Sequence, residues 1–384
     1  MKIFKKIIKA IGVLALGVGL FLCSALMGYL VAASLNDSSK LPVLLEYSLF
    51  IVGTLLGLLI CIIVHEAGHL IFGLISGYGF SSFRIGSLMW IKQDGKLKFR
   101  RLSLIGTGGQ CLMVPPEEKN GKIPVVLYNL GGVIMNVFLS AVFLVLYVLI
   151  RNIPVLSDIF IACAAISFII AITNGIPMAP GGLPNDGMNS YYLAGNKTAA
   201  IAFRNQLLIN AEYAKGARAS EMPPEWFALP KGADMQNVIC TSIAVFRASR
   251  TIESMDFEAA EKEIKALLES NWKMASVHRN LLACDLVFCR LALDGKKAEI
   301  SSLLTIEQQK FMKSMKNFPS VLRTEYAIAI IRDKNAEKAE KIEQRFKKVE
   351  KTYPYPQDVN TERGFMEYAK SRAEKFAEEE SRVD

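Results

Sequence analysis

A chain of 384 residues is long enough for two domains. Its composition, 52% hydrophobic with a positive mean hydropathy, excludes an ordinary soluble globule and makes a membrane protein the starting class. The net charge of +9 does not argue for nucleic acid, because the basic residues flank apolar runs instead of gathering on an aromatic-interleaved patch.

Crossing about 30 Å of hydrocarbon takes about 20 apolar residues in a helix. The stretches that qualify run over residues 10–33, 44–76, 124–150 and 154–176. Lys2, Lys5, Lys6 and Lys9 precede the first and set the N-terminus in the cytoplasm. That span exceeds the apolar core of about 7–15 residues found in a signal peptide, so it is read as retained. The second span carries Cys61-Ile-Ile-Val-His65-Glu66-Ala67-Gly68-His69 near its end. Two histidines at i and i+4 share one helix face, as a single metal ion requires, and Glu66 stands beside them to take a proton from water. Catalytic zinc takes three protein ligands and leaves a position for water. Two histidines and a glutamate in a membrane helix are costly without such a partner.

Between the second and third spans, Arg84, Lys92, Lys96, Lys98, Arg100 and Arg101 mark a cytoplasmic segment. Asp94-Gly95 between two alternating runs predicts a membrane-associated β-hairpin over about 80–110. Its edge offers backbone pairing to an unwound substrate strand, and the glycines after it, including Gly108 and Gly109, permit close backbone approach. Within the third and fourth spans, Asn136 and Asn174 are amides in apolar surroundings. They serve either substrate backbone or an oxyanion, or hydrogen bonds between helices. Counted in helical rise, His65 lies about 16 Å from the end of its span and Asn136 about 18 Å into its own, so the two face each other at one level.

The third ligand follows by elimination. The chain has three histidines, and His278 belongs to the distant soluble region. Asp186, in Pro184-Asn185-Asp186-Gly187, follows the cytoplasmic end of the fourth span, and carboxylate oxygen is a zinc ligand. The seven cysteines show no disulfide or zinc spacing and fit a reducing compartment.

After Tyr191 the chain reads as successive helices. Turns near Asp256, Asp294 and Asp333 are each followed by alanine in a fresh amphipathic stretch, at Ala259, Ala298 and Ala336. The spacing of about 38–39 residues is nearer to helical-hairpin repeats than to other repeats, though not the regular 34 of tetratricopeptide (TPR) units. The expected architecture is therefore an all-α polytopic membrane core over residues 1–195 with its cytoplasmic hairpin, and a soluble, α-helical, TPR-like domain over 196–384. Both termini are expected in the cytoplasm, at a plasma membrane that compact loops suggest is bacterial.

The motifs resemble the site-2 protease family of intramembrane metalloproteases. His65–His69 is similar to the family's first motif. Asn174-Gly-Ile-Pro177 with Asp186-Gly187 resembles its second, and Gly132 to Asn136 its glycine-to-asparagine element. The glycines near Gly108 and Gly109 match as well, and the resemblance covers roughly 44–188. It implies an intramembrane zinc (Zn2+) endopeptidase that cleaves single-span membrane proteins near the cytoplasmic face, with Glu66 as general base and His65, His69 and Asp186 on the metal. Its partners would be a transmembrane substrate, the bilayer, and a cytoplasmic protein or peptide bound by the helical tail. The competing reading is a catalytically silent scaffold that holds membrane helices and recruits partners through that tail. A prenyl-protein protease would need a glutamate ligand on a later span, and a metal transporter would need a ladder of ligands; neither is found.

Overall fold

The computed structural model describes Gly28 and residues 42–103, 107–118, 123–295 and 298–381. The span expected over 10–33 lies outside the described residues apart from Gly28. The chain forms two compact units. Of the described residues, one takes in those up to Tyr78, Pro124–Pro180 and Pro184–Ala194; the other takes in those within Gly79–Ile123, Gly181–Leu183 and from Gly195 onward. The segment expected as a hairpin thus clusters with the C-terminal helices.

Among the described residues of the first unit, three helices are long and apolar enough to cross a membrane: α1 (Val43–Ile75), α2 (Val125–Leu149) and α3 (Pro154–Gly175). Proline marks both later starts. Pro124 precedes α2 and Pro154 occupies its helix's first turn, where a missing N–H costs nothing. Their surfaces invert the soluble pattern. Leu55, Leu59, Phe138 and Val148 face outward, whereas the buried stripe of α1 is Gly57, Cys61, His65, Gly68 and His69. In lipid, leucine gains nothing by hiding, so small residues that let backbones approach hold helices together. Interhelical bonds such as Ser140 Oγ to the Ala164 carbonyl (2.9 Å) add about 0.6 kcal/mol each on average, so close packing carries most of the cohesion.

A short helix, α4 (Asp186–Leu193), completes this unit. Asn185 caps it, and the same side chain ties the preceding loop. Its Oδ1 accepts from the N–H groups of Met178 (3.0 Å) and Met188 (2.9 Å), and its Nδ2 donates to the carbonyls of Thr173 and Ile176, both at 2.7 Å.

The second unit opens with four strands in place of the expected two-stranded hairpin: β1 (Gly79–Ile85), β2 (Leu88–Gln93), β3 (Lys96–Arg101) and β4 (Gly109–Val114). They form an antiparallel sheet in the order β3-β2-β1-β4. Asp94-Gly95 does make the β2–β3 turn, with both residues at positive φ (51° and 72°). The buried Arg84 closes the other end, donating to the Gly86 carbonyl, Thr107 Oγ1 (both 2.6 Å) and the Gly109 carbonyl (3.3 Å). Gln93 Nε2 fixes the sheet to the helices by donating to the carbonyls of Ala214 (2.9 Å) and Pro354 (2.8 Å). Met89 and Ile91 enter the same core.

The helices are α5 (Lys197–Lys215), α6 (Val238–Glu253), α7 (Phe257–Glu269), α8 (Ser276–Asp294), α9 (Ile306–Ser314), α10 (Pro319–Ala327), α11 (Ala336–Glu350) and α12 (Pro356–Ser381). Asp256 and Asn335 cap α7 and α11 through the N–H groups of Ala259 (3.0 Å) and Lys338 (2.9 Å). No helix begins at Ala298, where the spacing predicts one; the next starts at Ile306, so this part of the expected repeat is absent. The core includes a fully buried arginine. Arg323 lies 4.4 Å above the Phe288 ring, bonds Asp285, and pairs through Nε with Glu362 Oε2 at 3.0 Å.

Burial, with the like charges of Glu362 and Glu253, pushes the Asp358 carboxyl up to about 8. Burial also pushes Glu362 up to about 7 against the pull of Arg323. An acid with a raised folded pKa holds its proton more tightly in the folded state. Stability is therefore greatest below the unfolded value near 4 and is lost as pH rises to the folded value, levelling off above it. From about pH 5 up to about 7 for Glu362 and about 8 for Asp358, each such proton costs about 1 kcal/mol per pH unit, or about 3 °C in melting temperature. Differential scanning calorimetry of the detergent-solubilised chain is expected to show this decline, and Asp358→Asn to flatten it. An unchanged slope in the variant would remove Asp358 as its source.

Candidate metal centre

The first unit brings His65, His69 and Asp186 together. One ligand atom from each lies within 4.8 Å of the others. Asp186 Oδ2 stands 3.0 Å from His65 Nε2 and 3.4 Å from His69 Nε2, and the two Nε2 atoms are 3.3 Å apart. Both histidines are buried on α1, and Asn185 sets the backbone on which Asp186 opens α4. A carboxyl has an ordinary value near 4, so at neutral pH Asp186 stands as a carboxylate.

The tautomers follow from the far side of each ring. His65 Nδ1 is 2.7 Å from Asn136 Oδ1, and His69 Nδ1 is 2.9 Å from the Tyr128 carbonyl. Both partners are acceptors, so each neutral ring carries its proton on Nδ1 and turns a bare Nε2 inward. The oxygen of Asn136 is identified by its nitrogen, which donates to the Cys61 carbonyl (3.2 Å) and to Ser167 Oγ (3.0 Å). Two nitrogen lone pairs thus converge with a carboxylate oxygen that has no other hydrogen-bond partner. Three converging acceptors repel unless a cation lies between them. Two imidazoles and one carboxylate are a donor set that suits zinc.

Glycines make the convergence possible. A Cβ on Gly132 of α2 would stand 2.7 Å from the Nε2 atoms of both His65 and His69. A Cβ on Gly68 would overlap the Gly131 carbonyl, and one on Gly131 would meet the Gly68 carbonyl at 2.5 Å. A Cβ on Gly187 would overlap the Gly175 carbonyl.

The other predicted residues fall in different places. Glu66 is buried on α1 between the two histidines in sequence. Asn136 is fully buried, and its amide is engaged by His65, Cys61 and Ser167. Asn174 donates to the Ile170 carbonyl of its own helix at 2.9 Å. Gly108 and Gly109 belong to the sheet unit, where their carbonyls accept from the Gly86 N–H and from Arg84. Sequence reasoning missed Asn185 and Tyr128. Asn185 had a usable signal, since asparagine one position before a helix is a preferred cap. Tyr128 had none, because it contributes a backbone carbonyl.

A protein-family model described as peptidase family M50 matches residues 53–322. No curated protein matches the chain. No solved structure matches it either. The matched segment covers well over half of the sequence and contains the three converging side chains, and the chain belongs to peptidase family M50, the site-2 protease family of intramembrane metallopeptidases.

Proposed function

We propose that this protein is an intramembrane zinc endopeptidase that cleaves single-span membrane proteins near the cytoplasmic face. The convergence of His65 Nε2, His69 Nε2 and Asp186 Oδ2 carries the reading, because those groups offer a cation three ligands and no competing proton. Family membership favours this over the silent scaffold. Zinc in such a site acts as a Lewis acid, bringing water to a pKa of about 7 and polarising the scissile carbonyl. Glu66 takes the proton as the water oxygen bonds to the carbonyl carbon, then delivers it to the amide nitrogen as the C–N bond breaks. A membrane helix must unwind before its backbone can be attacked, and the freed N–H and C=O groups need partners. The helical tail is the part to which we assign cytoplasmic partners.

Asn136 acts through His65 in this scheme, as a positioning residue. Asn136→Leu keeps the volume but removes the acceptor that fixes the ring, so zinc affinity is expected to fall about 10–100-fold. Asn136→Asp retains an oxygen there and should keep most of the affinity. Titration against a chelator of known strength measures both. Equal affinity in the leucine variant would leave Asn136 with helix packing alone.

The proteolytic reading is tested by comparing membrane proteomes of cells carrying the wild-type chain or Glu66→Gln. Single-span proteins should accumulate intact in the variant while their cytosolic fragments disappear. No difference under several growth conditions would favour the scaffold.

A further inference from the structure

The second unit holds a cavity of about 650 Å³ bounded by α9, α10, α11 and the turn between the last two. Its walls carry Lys313, Lys316, Arg332, Lys338 and Arg345 against a single carboxylate, Glu325. Its floor is apolar, with Met312 and Ile328 both buried. That volume falls in the range of about 300–1,000 Å³ common for ligand pockets. The polypeptide also departs from α-helical geometry here. Residues Ile328–Arg332 form a π-helical turn closed by the Asp333 N–H on the Ile328 carbonyl at 2.9 Å. Such turns are uncommon and are found often at functional sites.

The cations form two groups. Asp333 joins Arg332 Nε (2.8 Å) and Lys338 Nζ (3.1 Å) at one end. At the other, Arg345 pairs with Glu325 Oε2 at 3.2 Å and bonds the Lys316 carbonyl, which fixes the end of α9 against α11. Lys338 and Arg345 are seven residues apart on one helix face, a rise of about 10 Å. A single phosphate or carboxylate cannot reach both groups. A ligand matched to the cavity carries two anionic groups about that far apart, with an apolar portion between them. In a polyproline II segment, residues i and i+3 return to the same side about 9 Å apart.

We propose that this cavity binds an extended acidic peptide segment, with two carboxylates three positions apart on its basic walls and an intervening aliphatic side chain over Met312 and Ile328. The proposal does not depend on the metal chemistry of the first unit.

A fluorescein-labelled peptide containing Glu-Leu-Pro-Glu, titrated with the full-length protein in neutral detergent, tests it by fluorescence anisotropy. Saturable binding is expected. It should weaken about 3–10-fold with Lys338→Glu, with Lys316→Glu, and with a Gln-Leu-Pro-Gln peptide, the size expected for charge contacts at solvent-exposed side chains. Circular dichroism and zinc content confirm that each variant is folded, and Lys316→Ala and Lys338→Ala serve in place of either charge reversal that is not. Unchanged affinity in folded variants at both positions would overturn the site. Full competition by inorganic pyrophosphate at the peptide's own concentration would reassign it to a compact anion and overturn the peptide. No saturation at millimolar concentration would overturn it as well.

Discussion

Glu66→Gln is expected to lower the rate of substrate cleavage by about 10²–10⁴-fold while zinc remains at the wild-type level. Glutamine fills the same buried volume on α1, so the helix and its two histidines keep their places. It has no basic oxygen able to take a proton from water, and the general-base contribution disappears with it. The two readouts separate the possible roles. Loss of zinc in the variant would move Glu66 into the ligand set. Full cleavage would remove it from the chemistry.

Asp186→Ala is expected to act on the metal itself. It deletes the one anionic member of the converging set and leaves two neutral imidazoles, so zinc affinity should fall by more than the about 10–100-fold that follows loss of an outer-shell partner. The backbone around it should hold, because Asn185 bonds Thr173, Ile176, Met178 and Met188 through its own side chain. Asp186→Asn, which keeps the shape without the charge, should lie between the two. Metal analysis after dialysis against a weak chelator gives the answer. Full zinc in Asp186→Ala would mean that another group is the third ligand and would reopen the assignment.

Local chemistry accounts for what the sequence made legible. Helical spans at 44–76, 124–150 and 154–176 agree within a residue or so with Val43–Ile75, Val125–Leu149 and Pro154–Gly175, because apolar length is a local property bounded here by prolines. Helical rise alone set His65 level with Asn136, and the two side chains meet at 2.7 Å. The sheet was only half legible. Asp94-Gly95 marks its own turn, but the pairing of β1 with β4 joins residues 24 to 35 positions apart, from Ile85 with Gly109 to Gly79 with Val114, and has no local signature. The tail misled for a related reason. Alanines after aspartates suggested a repeat, yet only Asp256 and the Asp333–Asn335 corner open helices, while Ala298 does not. The contacts that orient the histidines were legible on the side-chain partner, Asn136, and invisible on the backbone one, Tyr128.

On several sides the converging ligands lie against glycine backbone. Gly131 and Gly132 lie against Gly68 and the two imidazoles, and Gly187 lies against Gly175. Enzymes are commonly retuned by trimming or enlarging the side chains that wall a pocket, and on these sides there is nothing to trim and no room to enlarge. The centre is therefore a poor place to evolve or engineer preference among substrates. Selectivity has to be written farther out, in surfaces that decide which polypeptide arrives.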